Sequence, residues 1–222
     1  MPLTQLAILG GVITLMLMMF FTGIQLSALS HNPAPSLVQL VDGQVLQVGA
    51  AQANSREPAV ISRLVHQWAT LTYNSSGKLP NGDADPGIDV GDNQKVTTAS
   101  WEAAFVLSDD FRREFLKGMA ELMAKIPAYQ VFQGQKQTVL KLDEQLSPRS
   151  IGSGKWEVDL ISHLLVLDVG QPLGEPVTIN KKIFLRAVPP PLYPLKYALS
   201  VLQRAVYALR ETGLEIFLIE DL

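Results

Sequence analysis

The order of apolar and polar positions divides the chain into a leading block and a patterned body. From Leu6 to Leu29 the sequence LAILGGVITLMLMMFFTGIQLSAL is almost wholly apolar and has no polar face. A bilayer core about 30 Å thick needs roughly 20 helical residues. This stretch is therefore predicted to span a membrane as one helix, with its backbone hydrogen bonds closed internally. The competing reading is a cleaved signal peptide, because Ala28-Leu29-Ser30 has the small-x-small form of a cleavage site. Against it, no Lys or Arg precedes the apolar run, and the run exceeds a usual signal core.

Behind the block comes a Pro-broken spacer, His31 to Ser36, and then two short apolar runs, LVQLV and QVLQV, around Asp42-Gly43. Asp-Gly favours the positive φ values of a two-residue type I′ turn, so a hairpin is predicted here. A lone two-stranded hairpin is marginally stable, so it needs a surface to lie against. The chain then divides into an anchor (1–30), a linker with the hairpin (31–55) and a body (56–222).

In the body, Ile61, Leu64, Val65, Trp68 and Leu71 recur at helical spacing, which predicts a helix from Glu57 to Tyr73 with Ser55 as its cap and Pro58 in its first turn. Residues 74–100 are rich in Gly, Asn and Asp and read as a long flexible acidic loop. A short helix capped by Ser100 follows. A longer one runs from Asp109 to Ile126, with Phe111, Phe115, Met119, Leu122, Met123 and Ile126 on one face and two acids at its start, where the helix dipole favours them.

Beyond this the period becomes two. QTVLKLDEQLSP reads as a strand, and KWEVDLISHLLVLD alternates with Trp156, Val158 and Leu160 on one face. VGQPLGEP reads as a turn. VTINKKIFLRAV alternates through Val177, Ile179, Ile183 and Leu185, with Lys181 interrupting. LKYALSVLQRAVYALRET predicts a helix with Leu195, Leu199, Leu202, Val206 and Leu209 facing in, stopped by Gly213. LEIFLIEDL is the last strand. Helices first and then antiparallel strands define an α+β body with helices against one sheet face. In the last strand Leu214, Ile216 and Leu218 would face the core. Phe217 and Ile219 would face away and need a second cover, either a partner protein or a loop of the same chain.

Composition narrows the function classes. The net charge is −3, with 18 Lys and Arg against 21 Asp and Glu, so nothing points to a nucleic-acid partner. There is no cysteine, which excludes disulfides, thiolate metal sites and cysteine nucleophiles. The first Lys or Arg is Arg56, so the leading block is flanked on its N-terminal side only by the α-amino group. That asymmetry tilts the body to the extracytoplasmic side, a periplasm or an equivalent lumen.

Candidate chemistry is sparse. Asn81, Asp83, Asp85 and Asp92 fall at positions 1, 3, 5 and 12 of a calcium-loop template. Position 6, which needs Gly, is Pro86, and position 12 lacks the longer Glu, so the acids are read as ordinary loop residues and no metal is expected. His31, His66 and His163 show no ligand spacing. No nucleophile elbow, phosphate loop or dinucleotide fingerprint occurs. Glu157, Asp159, Ile161 and His163 share a strand face, and Asp159, His163 and Arg186 are the strand groups an enzyme would have to converge in a pocket. No catalytic residue and no cofactor is expected.

Taken in order, the pieces resemble the bitopic inner-membrane component of type IV secretion and conjugation machines, the TrbF-like family. The resemblance is carried by the hairpin VQLVDGQVLQVG (Val38 to Gly49), by WEVDLISHLLVLDVG (Trp156 to Gly170), by INKKIFLRAVPPP, and in part by ETGLEIFLIED. In the last, Gly213 matches the family glycine, while Glu211-Thr212 replace its Asn-Pro-Leu context. The resemblance implies a cone-like body of the nuclear transport factor 2 type with helices on a curved antiparallel sheet, a periplasmic location and a scaffold role without catalysis. The resulting expectation is a single-pass membrane protein that holds together other subunits, or further copies of itself, with Phe217 and Ile219 at the partner interface. The alternatives are an accessory subunit of a respiratory or photosynthetic complex, and a small ligand-binding or enzymatic domain of the same cone fold.

Overall fold

Apolar stripes of the predicted periods do assemble into an α+β architecture. The computed structural model describes residues 11, 15, 16, 18–20, 36–39, 45–48, 54–125, 131, 132, 134–168, 171–191 and 199–222. The chain divides into two units, Met1–Gln52 and Ala53–Leu222.

In the first unit, Gly11, Leu15, Met16 and residues 18–20 are helical. The side chains of Leu15, Met16, Met18, Met19 and Phe20 are exposed. Most of the predicted span lies outside the described residues. Among the described residues no helix is long and apolar enough to cross a membrane. The predicted hairpin is present as β1 (Ser36–Gln39) and β2 (Val45–Val48), but its register differs from expectation. A two-residue turn at Asp42-Gly43 would set Gln39 opposite Leu46. Instead Gln39 pairs with Val45, one residue out.

The second unit begins with α1 (Pro58–Tyr73). Its N-cap is Glu57 rather than Ser55, because Pro58 occupies the first turn and fixes the boundary just before itself. Ile61, Leu64, Val65 and Trp68 are fully buried, as the spacing predicts. The following stretch, read from the sequence as loop, contains a hairpin of β3 (Ile88–Gly91) and β4 (Gln94–Val96). Asp92 and Asn93 hold φ of 56° and 58° at its tip, the left-handed pair that a type I′ turn requires.

Helix α2 (Thr98–Ala103) runs into a 3₁₀ turn at Ala104–Val106. Its cap is Thr97, whose hydroxyl accepts from the Ser100 amide. Ser100, expected as the cap, sits inside the helix, fully buried, and donates to the Thr72 carbonyl at 2.6 Å. Helix α3 spans Asp109–Lys125 and buries Phe115, Met119 and Met123.

The sheet has five strands: β5 (Lys136–Leu142), β6 (Arg149–Gly152), β7 (Lys155–Asp168), β8 (Gln171–Ala187) and β9 (Leu214–Asp221). The antiparallel order is β5-β7-β8-β9, with β6 also on β7. The stretch read as a turn after β7 is mostly strand, since β8 begins at Gln171, directly opposite Asp168. Between β8 and β9 lies α4 (Val201–Arg210), later than the sequence periodicity placed it. Ser200 accepts from the Gln203 amide while the Gln203 side chain accepts from the Ser200 amide, a capping box that fixes the start. Leu199 therefore precedes the helix, and Leu195 lies outside the described residues.

One face of the sheet meets the helices. Trp156, Val158, Leu160, Leu164, Ile179, Ile183, Leu185, Leu214 and Ile216 join Ile61, Leu64, Val65, Trp68, Phe115 and Met119 in one buried cluster. Each such side chain contributes roughly 1.5–3 kcal/mol on burial. Two buried hydroxyls on this face are satisfied: Ser162 donates to Ile179 and Thr138 to Tyr73, both to carbonyls, whereas the Trp68 indole N–H in the same cluster has no hydrogen-bond partner among the described residues. The sheet edges are partly covered as well. Ser75 exchanges amide and carbonyl with Thr138 on β5, and the Ser108 amide donates to the Ile216 carbonyl on β9.

Gly213 links α4 to β9 in the left-handed region, at φ +65°. A Cβ there would approach the Val188 carbonyl to 2.9 Å and collide with the Arg56 guanidinium. That guanidinium donates to the Thr212 carbonyl at 2.8 Å and the Gly213 carbonyl at 3.1 Å, tying the start of the body to the turn that launches β9.

Candidate interaction face

The face of the sheet turned away from the helices follows directly from the period-two alternation. Lys155, Glu157, Asp159, Ile161 and His163 on β7 lie opposite Arg186, Phe184, Lys182, Asn180 and Thr178 on β8. In an antiparallel pair, opposite residues share a face.

On β9 the register changes. Ile216 pairs with Leu185, but Leu218 pairs with Phe184, so Phe217 is an extra residue in a β-bulge. The bulge reverses the expected faces beyond it. Ile219 pairs with Ile183 and packs against the core, and Leu218 moves to the outer face beside Phe184. Phe217 remains on the outer face, its ring 6.1 Å from that of Phe184. The expectation that Phe217 and Ile219 share an outward face is thus corrected: the bulge separates them. An unbroken register would set Ile219 against Lys182 on the charged face. The bulge sets Ile219 against Ile183 and brings Glu220 opposite Lys182 and Asp221 opposite Lys181. Lys181, which interrupts the apolar alternation of β8, forms an ion pair with Asp221.

The outer face is therefore an apolar patch set in paired charge. The Lys155 ammonium stands 5.5 Å and the Arg186 guanidinium 5.6 Å from the centroid of the Phe217 ring, on which cations are favoured. Arg186 donates to Glu215 at 2.6 Å. Arg149 reaches Glu157 at 2.8 Å and Asp159 at 2.7 Å, and Lys182 reaches Asp159 at 2.9 Å. These hydrogen bonds, from Lys182 first and then Arg149, hold the Asp159 carboxyl below its ordinary value. His163 contacts Asp143.

Asp159, His163 and Arg186 do not converge. All three stand on the open outer face, and His163 lies four residues along β7 from Asp159, about 13 Å at the rise of a strand. The calcium-template acids are likewise dispersed into local roles. Asp85 is buried and accepts from the Gly87 amide, the Thr98 amide and the Thr98 hydroxyl. Asn81 and Asp83 bond to one another, and Asp92 sits in the β3–β4 turn. Among the described residues no group of three or more His, Asp and Glu is placed to hold a metal ion. His31 lies outside the described residues, and His66 is an exposed residue of α1.

On the helix side, an open groove of about 670 Å³ lies between α3 and the β8–β9 end of the sheet. Ile219, Phe111 and Met119 line it together with Lys125, Lys181 and Asp221. Burial there pushes the Tyr73 phenol well above its ordinary value. The sequence could not reveal which face Leu218 takes, since the bulge carries no glycine or proline.

No family model matches the chain, and no curated protein matches it. Among solved structures, it is similar to the soluble domain of TrwG type IV secretion machinery from Bartonella grahamii. The match has a TM-score of 0.44 and 14% identity, covering 75% of this chain and 94% of that one.

Proposed function

We propose that this protein is a membrane-anchored scaffold subunit whose body binds another protein subunit through the outer face of its sheet. The observation that carries the reading is the Phe184–Phe217–Leu218 patch. It lies on the face away from the helices, partly on the edge strand β9, and Arg149, Lys182 and Arg186 on the same face are paired with acids. Aromatic anchors inside a satisfied polar rim are the anatomy of a protein interface. The uncharged run Leu6 to Leu29 supplies the anchor, and the absence of Lys and Arg before Arg56 supports an extracytoplasmic body. The hairpin and strand motifs that resemble the TrbF-like family support a type IV secretion-like inner-membrane assembly as the machine served, with the cone-like body of that family.

The test pairs two measurements on the full chain. Alkaline carbonate extraction leaves the protein in the membrane fraction with its N-terminus intact. Release with a new N-terminus near His31 would refute the anchor. Phe217→Ser removes co-purifying subunits in mild detergent while the melting temperature stays within a few degrees. An unchanged complex would reject the interface.

A further inference from the structure

The edge of the sheet at β9 is covered only in part. At Ile216 the carbonyl points outward and accepts from the Ser108 amide, with Leu107 running parallel beside it. Further along, the Leu222 amide turns the other way and donates to the Asn180 carbonyl of β8. Successive residues of a strand turn their backbone groups to opposite sides, and the register from Leu218 to Asp221 is unbroken. Ile219 and Asp221 therefore direct their N–H and C=O away from β8. Neither meets a backbone partner there among the described residues. At the rise of a strand, the open run from Leu218 to Asp221 is about 14 Å long.

Two further features border the same edge. On the helix side lies the groove between α3 and the end of the sheet, with Phe111, Met119 and Ile219 in its lining. Tyr73 lines it too, although the residue is only 2% exposed, and its hydroxyl has no hydrogen-bond partner among the described residues. Burial, with the Asp221 charge nearby, keeps the phenol protonated and able to donate. Gly118 of α3 lines the groove as well. It is exposed in mid-helix, where glycine weakens the helix. A Cβ there would meet nothing within 4 Å. Crowding among the described residues does not call for glycine at that place, whereas a backbone passing close to α3 does. On the opposite face of the sheet, Phe217 and Leu218 flank the same edge.

We propose that this edge takes up an extended segment of a partner protein as an added strand, its side chains entering the α3–β9 groove on one face and covering the Phe217–Leu218 patch on the other. An extended backbone supplies N–H and C=O groups at the spacing that Ile219 and Asp221 present. Its side chains alternate, so one strand reaches both faces of the sheet. A helix closes its backbone bonds internally and would touch one face only. The β9 strand of a second copy fits less well. Its inward residues past the bulge are Ile219 and Asp221, so it would set a carboxylate against the apolar part of the groove. Taking the segment from a partner subunit rests on the scaffold reading; strand addition itself is tested without that subunit.

The test is fluorescence polarisation on the full chain in mild detergent with an array of labelled octapeptides. They carry Val, Ile, Leu or Phe at odd positions and Thr or Tyr at even ones. Each binder is remade as two twins, N-methylated at alternate backbone amides in one phase or the other. One twin has its bonds to β9 blocked and binds at least tenfold more weakly. The other is methylated on the free side and keeps its affinity within about threefold. Gly118→Leu puts a side chain into the groove and weakens the unmethylated peptide at least tenfold. Its melting temperature does not fall, because leucine suits a helix better than glycine. No binding anywhere in the array, twins of equal affinity, or Gly118→Leu binding like the parent overturns the proposal. So does a dimer in light scattering that Gly118→Leu disrupts with no peptide bound. If these arms fail while Phe217→Ser still strips co-purifying subunits, strand addition falls and the scaffold reading stands; the reverse pattern removes the scaffold reading alone.

Discussion

The two faces of the sheet are built from the same strands, yet they are held by different forces. On the core face, Val158, Ile183 and Leu185 are fully buried under the helices, and their worth is set by volume. On the outer face, alternate residues of the same strands are half-buried, and Asp159, Arg149 and Lys182 satisfy one another across the surface. A substitution on the first face opens a cavity. A substitution on the second leaves the fold standing and changes what the face can bind. β9 joins the two regimes, because its bulge sends Ile219 to the first and Phe217 with Leu218 to the second.

The largest expected effect is at the centre of the core face. Leu185→Ala, at a position with no exposure, costs about 2–5 kcal/mol in chemical denaturation. A loss below about 1 kcal/mol would show that the helices do not seal that face. Next comes Ile219→Ser, about 2 kcal/mol, because Ile219 packs beside Ile183 at the edge of the cluster. If Ile219 faced outward with Phe217, the two serine variants would cost the same, and the bulge would be refuted. Phe217→Ser should cost about 1 kcal/mol or less, the loss of one ring contact with Phe184 and of two partly exposed cation contacts.

The smallest effect concerns the ion network. The folded-state carboxyl of Asp159 titrates below its unfolded value of about 3.9. Its stabilisation is therefore fully present above that value and is lost as pH falls through the folded one. Asp159→Asn should cost under about 1 kcal/mol at neutral pH, given the solvent exposure of the site. Stability curves of the variant and the parent should draw together below pH 4 or so. Curves that stay parallel down to the acid transition would show that the network adds no pH-dependent stability.

How far the sequence reaches differs from element to element. The stripe Ile61, Leu64, Val65, Trp68 located α1 to within a residue. The alternation of Trp156, Val158 and Leu160 gave the core face of β7 correctly, because burial on one side leaves the period intact. The start of α4 was also written in the sequence, as Ser200 with Gln203 three residues on. The longer apolar periodicity running through Leu195 and Leu199 masked it. The β3–β4 hairpin was hidden for another reason: its strands are only a few residues long and largely polar, so turn composition outweighed strand pattern.

What the sequence by itself determined is the set of apolar stripes, and with them the α+β class and the order of inward and outward residues along β7 and β8. What only the tertiary structure decided is where those stripes meet. A strand's own alternation cannot say whether Leu218 or Ile219 lies opposite Ile183, since both are apolar and neighbouring. The choice is made by the partner strand and the edge. Ile216 is held by Leu185 on one side and the Ser108 amide on the other, while two residues of the same tail prefer Ile183 and Lys181. One extra residue at Phe217 reconciles the two, and that extra residue places the aromatic patch on the outer face.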